Sequence, residues 1–293
     1  MMAKILADKR IETKHGRSRP VAKRHMPWGT WALTLNAIFV YTFLYVPIIV
    51  LVLFSFNAAK VGAQWQGFTL QWYNELFADA RLGDALWTSL KIAGLSTVIA
   101  TTIGTLAALA LEKRGWRGRK AFDTGLYLPV IIPDVVMAVS LLGFFTLAFR
   151  QFQALLGLNL AMGLWTVIIS HVAFNISFVT VVVGTSLANF DRRLEEAAAD
   201  LGATPWQTFW KIKFPLIGPG VLGGALLSFT LSLDDFVVTF FTRGPGVNTL
   251  TTEVYGRIKK SISPEINAIS SLMLLGSTIL VLTSLWMQRR RQA

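Results

Sequence analysis

The amino-acid sequence predicts an all-α membrane protein with six transmembrane helices, and three observations predict it. Of the 293 residues, 53% are hydrophobic and only 15% charged, where an ordinary soluble domain carries about 25% charged residues. Apolar runs long enough to span a bilayer, about 20 residues each, fall at 30–56, 85–111, 121–149, 161–187, 214–242 and 266–287. The basic residues then concentrate in alternate loops. Eight Lys and Arg precede residue 28, five lie in 112–120, four in 188–213 and three at the C-terminus, whereas 57–84, 150–160 and 243–265 together hold seven. The positive-inside rule places both termini and the 188–213 loop on the cytoplasmic side of the membrane. The net charge of +12 is therefore a topology signal, and no nucleic-acid partner is implied. The chain has no cysteine, so disulfides and thiolate metal sites are excluded.

Residues 1–27 read as a basic cytoplasmic tail close to anionic lipid, ahead of one membrane domain, 28–293. No small-residue cleavage site follows the tail, so it is not expected to be a signal peptide. The first span opens on Trp28 and Trp31 at headgroup level, and Pro47 is expected to kink it. The aromatic, amphipathic stretch 65–77 is expected to lie along the outer membrane surface as an interface anchor. In the second span Gly94, Ser96, Ala100, Gly104, Ala107 and Ala108 predict a close interface, because small residues let helices approach in lipid. Lys91 near its outer edge is expected to snorkel.

The third span contains Pro129 and Pro133, which remove helix hydrogen bonds and open the backbone. Asp134 follows directly. A carboxylate at membrane depth costs about 2.5–3.5 kcal/mol on insertion scales, so Asp134 should face a partner or a pathway. His171, Asn175 and Ser177 give the fourth span a thin polar stripe, suited to bonding between helices. In the fifth, Ser232 with Asp235 three residues on reads as a helix restart, or as acids lining a site; both readings can hold. Gly244-Pro245-Gly246 turns the chain into an outer loop, 243–265. The sixth span closes on Trp286 and an arginine cluster, a stop-transfer signal.

The 188–213 loop is unlike its surroundings. Asp191 is an N-cap candidate for a first short helix, which Gly202 must end. Thr204, Pro205 and Gln207 make a full start signal for a second helix. Ala197, Ala198 and Leu201 predict a small flat face with Glu196 and Asp200 beside it, a docking knob for another protein.

Glu196-Ala197-Ala198, three residues, Gly202, nine residues, Ile212, one residue and Phe214-Pro215 resemble the EAA loop of ATP-binding-cassette (ABC) importer permeases. Phe214 stands where that pattern usually has leucine. The resemblance implies a type I ABC importer permease fold. It makes Glu196, Ala197, Ala198, Gly202, Ile212 and Pro215 the coupling loop seated in a separate ATPase. No phosphate-cradling Gly-x-x-x-x-Gly-Lys-Ser/Thr loop is present, and no nucleophile–base pair is visible. The chain is accordingly read as a transport subunit and not an enzyme. It needs no cofactor of its own, since ATP and Mg would sit on the partner ATPase.

Asp134, Asp234 and Asp235 lie in the membrane region with only Lys91 opposing them. Together with the faces of Phe236, Phe240 and Phe241 they suit an organic cation, whereas an oxyanion would call for cations or backbone N–H groups. Pro133-Asp134, the Ser232–Phe236 run, Gly244-Pro245-Gly246 with Thr249-Leu250, and the run from Ser263 to Ala268 resemble the putrescine/spermidine importer permeases. The match extends from about residue 30 to the end and is nearest to the second, shorter permease of the putrescine system. The resemblance implies putrescine as cargo, moved by alternating access. It also implies a second permease forming a heterodimer, two ATPase subunits, and a periplasmic polyamine-binding protein. Spermidine or another organic cation is the alternative cargo. A proton-coupled secondary transporter using Asp134 is the alternative machine, and it leaves the 188–213 loop without a purpose.

Overall fold

The computed structural model describes residues 28–60, 64–113, 115–260 and 264–290. The expectations for residues 1–27, Ser263 and Arg291 lie outside the described residues, as do those for the side chains of Trp28, Trp286, Arg289 and Arg290. Every regular element among the described residues is a helix: α1 (Trp28–Phe54), α2 (Gln71–Ala78), α3 (Ala80–Glu112), α4 (Arg119–Ile131), α5 (Asp134–Leu156), α6 (Leu164–Ala188), α7 (Arg193–Asp200), α8 (Pro205–Thr208), α9 (Phe214–Asp234), α10 (Val237–Thr242), α11 (Leu250–Lys260) and α12 (Pro264–Arg290). A π-helical turn, Phe209–Lys213, joins α8 to α9.

The chain divides into two compact units, residues up to Val50 and residues from Leu51 onward. In the first, α1 runs unbroken through Pro47, and Phe39–Phe43 and Tyr41–Tyr45 stack four residues apart. The second unit is built on α3, α6 and α9, which pack on one another. Ala108 of α3, Val179, Val183 and Leu187 of α6 and Ile217 of α9 form one buried cluster. The predicted small-residue interface is this contact. A Cβ on Gly104 would stand 2.8 Å from Val179 Cβ and 3.0 Å from the Ile176 carbonyl oxygen, and the Thr180 hydroxyl donates to the Gly104 carbonyl at 3.2 Å. Gly104→Val is therefore an overpacking change, expected to destabilise by about 1–3 kcal/mol. Thermal unfolding of the detergent-solubilised protein should show a lowered midpoint; an unchanged midpoint would contradict the contact.

Five helices among the described residues are long and apolar enough to cross a membrane, within α1, α3, α5, α6 and Pro205–Asp234. The sixth predicted span falls on α12. The third, 121–149, is not one helix. Proline at 133 forces Ile132 into extended backbone, ψ 135°, so α4 stops and Asp134 begins α5 instead of sitting mid-span. α5 then continues through residues 150–156, expected as loop, until Gly157 (φ 67°) ends it with its N–H on the Gln153 carbonyl at 3.0 Å. The fifth span breaks at Asp235, whose ψ of 129° is extended, before α10 resumes. The outer loop 243–265 holds a helix of its own, α11.

The 65–77 stretch is only partly the expected surface anchor. Trp72 is buried, and its indole N–H donates to the Asn57 carbonyl at 2.7 Å. Trp65, Phe68 and Phe77 remain exposed. Lys91 is exposed and lies over the Trp87 ring, 5.2 Å from its centroid.

Candidate functional site

At one end of the bundle, the segment between α6 and α9 is held stiffly by local bonds. The Asp191 carboxylate accepts the Arg193 N–H at 3.0 Å, and its carbonyl accepts the Leu194 N–H at 3.2 Å. It braces the start of α7 from one residue before the cap position, which Arg192 occupies in place of the expected Asp191. α7 ends where Gly202 (φ 80°) donates to the Ala199 carbonyl and Ala203 to the Ala198 carbonyl, both at 2.9 Å. Only a residue tolerant of left-handed backbone makes this paired cap easily. The next helix starts reciprocally. Gln207 N–H donates to Thr204 Oγ1 at 3.3 Å, and Thr204 N–H donates to Gln207 Oε1 at 2.9 Å.

Leu201 and Trp206 protrude from this turn, 89% and 71% exposed. Glu196 and Ala197 are exposed as well, while Ala198 is buried. The expected flat face of Ala197, Ala198 and Leu201 is thus split: Ala197 and Leu201, four residues apart, point outward and Ala198 packs inward. Ile212 is half-buried in the π-helical turn, and Pro215 is exposed in the first turn of α9.

Sequence reasoning missed the residue that ties this segment down. Lys213 is buried, and its ammonium lies 2.7 Å from Glu112 Oε2 at the end of α3 and 2.8 Å from Glu195 Oε1 in α7. The Phe190 ring lies 5.4 Å from it, and Arg192 donates to the Glu112 carbonyl at 3.4 Å. A single lysine in a basic loop counts toward topology; nothing local marks it as buried.

The second constellation surrounds the α9–α10 break. The Asp235 carboxylate accepts the N–H groups of Val238 and Thr239 at 3.2 and 2.8 Å and the Thr239 hydroxyl at 2.9 Å. Asp235 itself caps the restarted helix. Ser232, the expected cap, is engaged elsewhere, 2.6 Å from His171 Nδ1 and 3.0 Å from Ser96 Oγ. His171 Nε2 reaches Thr239 Oγ1 at 3.0 Å and Asp235 Oδ2 at 3.3 Å, so His171 alone of the expected stripe is seen bonding α6 to α9 and α10, whereas the buried Asn175 amide has no hydrogen-bond partner among the described residues. The Thr251 hydroxyl donates to the Asp235 carbonyl at 2.7 Å.

Asp234 is exposed and lines an apolar cavity of about 300 Å³ with Leu233, Leu250, Leu272 and Met273 among its walls. Phe236 packs on Phe240 and on Tyr255, with ring centroids 5.4 and 4.5 Å apart. Phe241 belongs to the cluster around Ala138, Phe174 and Val238. Asp134 is exposed at the start of α5, one turn before Ala138. The elements bearing the three acids therefore meet, although no bond joins Asp134 to the other two.

At the far end of α3 a third group is tied by Arg257 of α11, which pairs with Asp79, with Glu253 at 3.2 Å and with Glu265 at 3.5 Å. Asn248 bonds both Arg243 and Glu253. The Arg257 guanidinium holds the Asp79 carboxyl below its ordinary range, helped by the Arg81 N–H that it accepts as the cap of α3.

Residues 100–291 match the model of the family described as "Binding-protein-dependent transport system inner membrane component". The chain belongs to that family. This transport component is 40% identical over 245 residues to the spermidine/putrescine transport system permease protein PotC of Escherichia coli (strain K12), covering 84% of this chain and 89% of PotC. It is 39% identical over 249 residues to the putrescine transport system permease protein PotI of the same strain, covering 85% of this chain and 86% of PotI. The two are equally similar, so the expected nearness to the putrescine system alone does not stand out. Among solved structures, a chain of a bacterial ABC transporter involved in the import of the acidic polysaccharide alginate superposes with a TM-score of 0.74 at 22% identity, over 90% of this chain and 96% of that one. A chain of the inward-facing MetNI methionine ABC transporter gives 0.57 at 18% identity, over 71% of this chain and 95% of that one. The fold is that of a type I ABC importer permease, and this component is a multi-pass inner-membrane permease subunit, not an enzyme.

Proposed function

We propose that this permease carries polyamines inward, putrescine among them, by alternating access coupled to a separate ATPase. The fold leaves the charge of the cargo open, because the same architecture serves an importer of an acidic polysaccharide. The residues around the α9–α10 break favour a cation. The observation that carries the reading is the α9–α10 break, where the exposed Asp234 carboxylate lines an apolar cavity and the chain continues directly into the hydrogen-bonded Asp235 and the aromatic group of Phe236, Phe240 and Tyr255, which lie outside that lining. A carboxylate set in an apolar wall suits an ammonium on an alkyl chain. These aromatic faces already attract cations within the chain, Arg243 over Phe240 and Lys259 over Tyr255. Asp134 would add a further acid along the route. Putrescine is the cargo that the names of both PotC and PotI share.

The stiff segment bearing Leu201 and Trp206 would dock on the ATPase, with Glu196, Ala197, Gly202, Ile212 and Pro215 forming or supporting the contact and Ala198 seating it. The loop asymmetry in Lys and Arg supports a cytoplasmic position for this segment and for both termini. The working assembly would contain a second permease, two ATPase subunits that bind ATP and Mg, and a periplasmic polyamine-binding protein. Labelled putrescine uptake in cells lacking only this chain tests the reading. Uptake should disappear and return with the chain restored. Strong competition by unlabelled spermidine would widen the cargo to both polyamines, and unchanged uptake would sink the polyamine assignment.

A further inference from the structure

The 188–213 segment continues through the backbone into α6 and α9, so its displacement reaches both directly. α3, the third member of the trio, has no covalent link to it. Small residues line the surface where α3 meets its neighbours, Ala100, Gly104, Ala107 and Ala108, and packed helices with such smooth faces can slide by small shears. At the end of α3, Lys213 opposes that slide. It bridges Glu112 of α3 and Glu195 of α7 at 2.7 and 2.8 Å while only 8% exposed, and Arg192 reaches from the same segment to the Glu112 carbonyl. The register is set by the π-helical turn Phe209–Lys213: Lys211 faces outward from it and Lys213 inward. Turns of this kind frequently sit at functional sites. A buried ion group is a poor way to gain stability, since an apolar replacement of similar volume often does as well, but it fixes register well.

We propose that Lys213 is a positioning residue that fastens the docking segment to the end of α3, so that the segment, α3, α6 and α9 move as one body when the ATPase moves. The inference rests on the reading of 188–213 as the ATPase-docking loop.

The test uses the full complex of this chain with its second permease, ATPase and binding protein in lipid vesicles, measuring labelled putrescine imported per ATP hydrolysed. Lys213→Met should lower that ratio about tenfold, within the range seen for residues that carry coupling, in complex that still copurifies. Should Lys213→Met fail to assemble because Glu112 and Glu195 both lose their lysine, the double variant Glu112→Gln with Lys213→Met also removes the more buried carboxylate and should show the same loss. Lys213→Arg keeps a cation between Glu112 and Glu195 and should hold the ratio near native in complex that copurifies equally. Native coupling in the double variant, or a loss in Lys213→Arg as deep as in Lys213→Met, would overturn the inference. If Gly202→Asp uncouples the complex and these variants do not, only the role of Lys213 falls. If Gly202→Asp leaves coupling intact, the docking reading falls and takes the inference with it.

Discussion

Asp234→Asn is expected to abolish most putrescine uptake while leaving the amount of permease in the membrane unchanged. Asp234 makes no hydrogen bond among the described residues and is exposed to its cavity, so its removal leaves no partner stranded. What is lost is charge. An ion pair 4 Å apart near a protein surface is worth up to about 4 kcal/mol, and losing a third of that lowers the rate about tenfold. Asp235 should behave differently. Asp235→Ala removes the cap of α10 and two hydrogen bonds from Thr239, and cap loss alone costs about 0.5–2 kcal/mol. Less protein should reach the membrane in that variant. Asp235→Asn keeps a capping oxygen, so it should restore the protein level and leave uptake low. Immunoblots beside uptake rates separate the two effects, and full uptake by Asp234→Asn and Asp235→Asn would remove the acids from the pathway.

Gly202→Asp should uncouple ATP hydrolysis from uptake in a complex that still assembles. A side chain at Gly202 meets nothing within 4 Å, so no packing is disturbed. The left-handed backbone, φ 80°, costs a residue with a Cβ about 1–2 kcal/mol, and least for Asp or Asn. That strain is too small to unfold a domain whose core lies elsewhere. The new carboxylate, however, stands beside Leu201 and Trp206 on the face that we assign to the ATPase. Hydrolysis by the purified complex should continue while cargo moved per ATP collapses; retained coupling would count against the docking segment.

Much of this was legible in the sequence because the signals are local. Thr204-Pro205-Gln207 and Gly202 specify caps within four residues, and the backbone forms them. Pro133 dictates the break after α4 for the same reason. The misses are of two kinds. Hydropathy marks where a helix stops being apolar, not where it stops, so the polar end of α5, with Arg150, Gln151 and Gln153, reads as loop in the sequence and is helix in the structure. Long-range partners leave no local trace. Lys213 finds Glu112 across 101 residues, and His171 finds Ser232 and Thr239 across 61 and 68. Ser232 looked like the cap of the restarted helix because its spacing suits that role, and the competing bonds to His171 and Ser96 became visible only with α6 and α3 packed against it.

The most direct test is labelled putrescine accumulation in vesicles containing this permease with its second permease, ATPase and binding protein, driven either by ATP or by a proton gradient. Accumulation that requires ATP and the binding protein and ignores dissipation of the gradient is the predicted result. Accumulation that follows the proton gradient without ATP would contradict the account and return Asp134 to the centre of the mechanism.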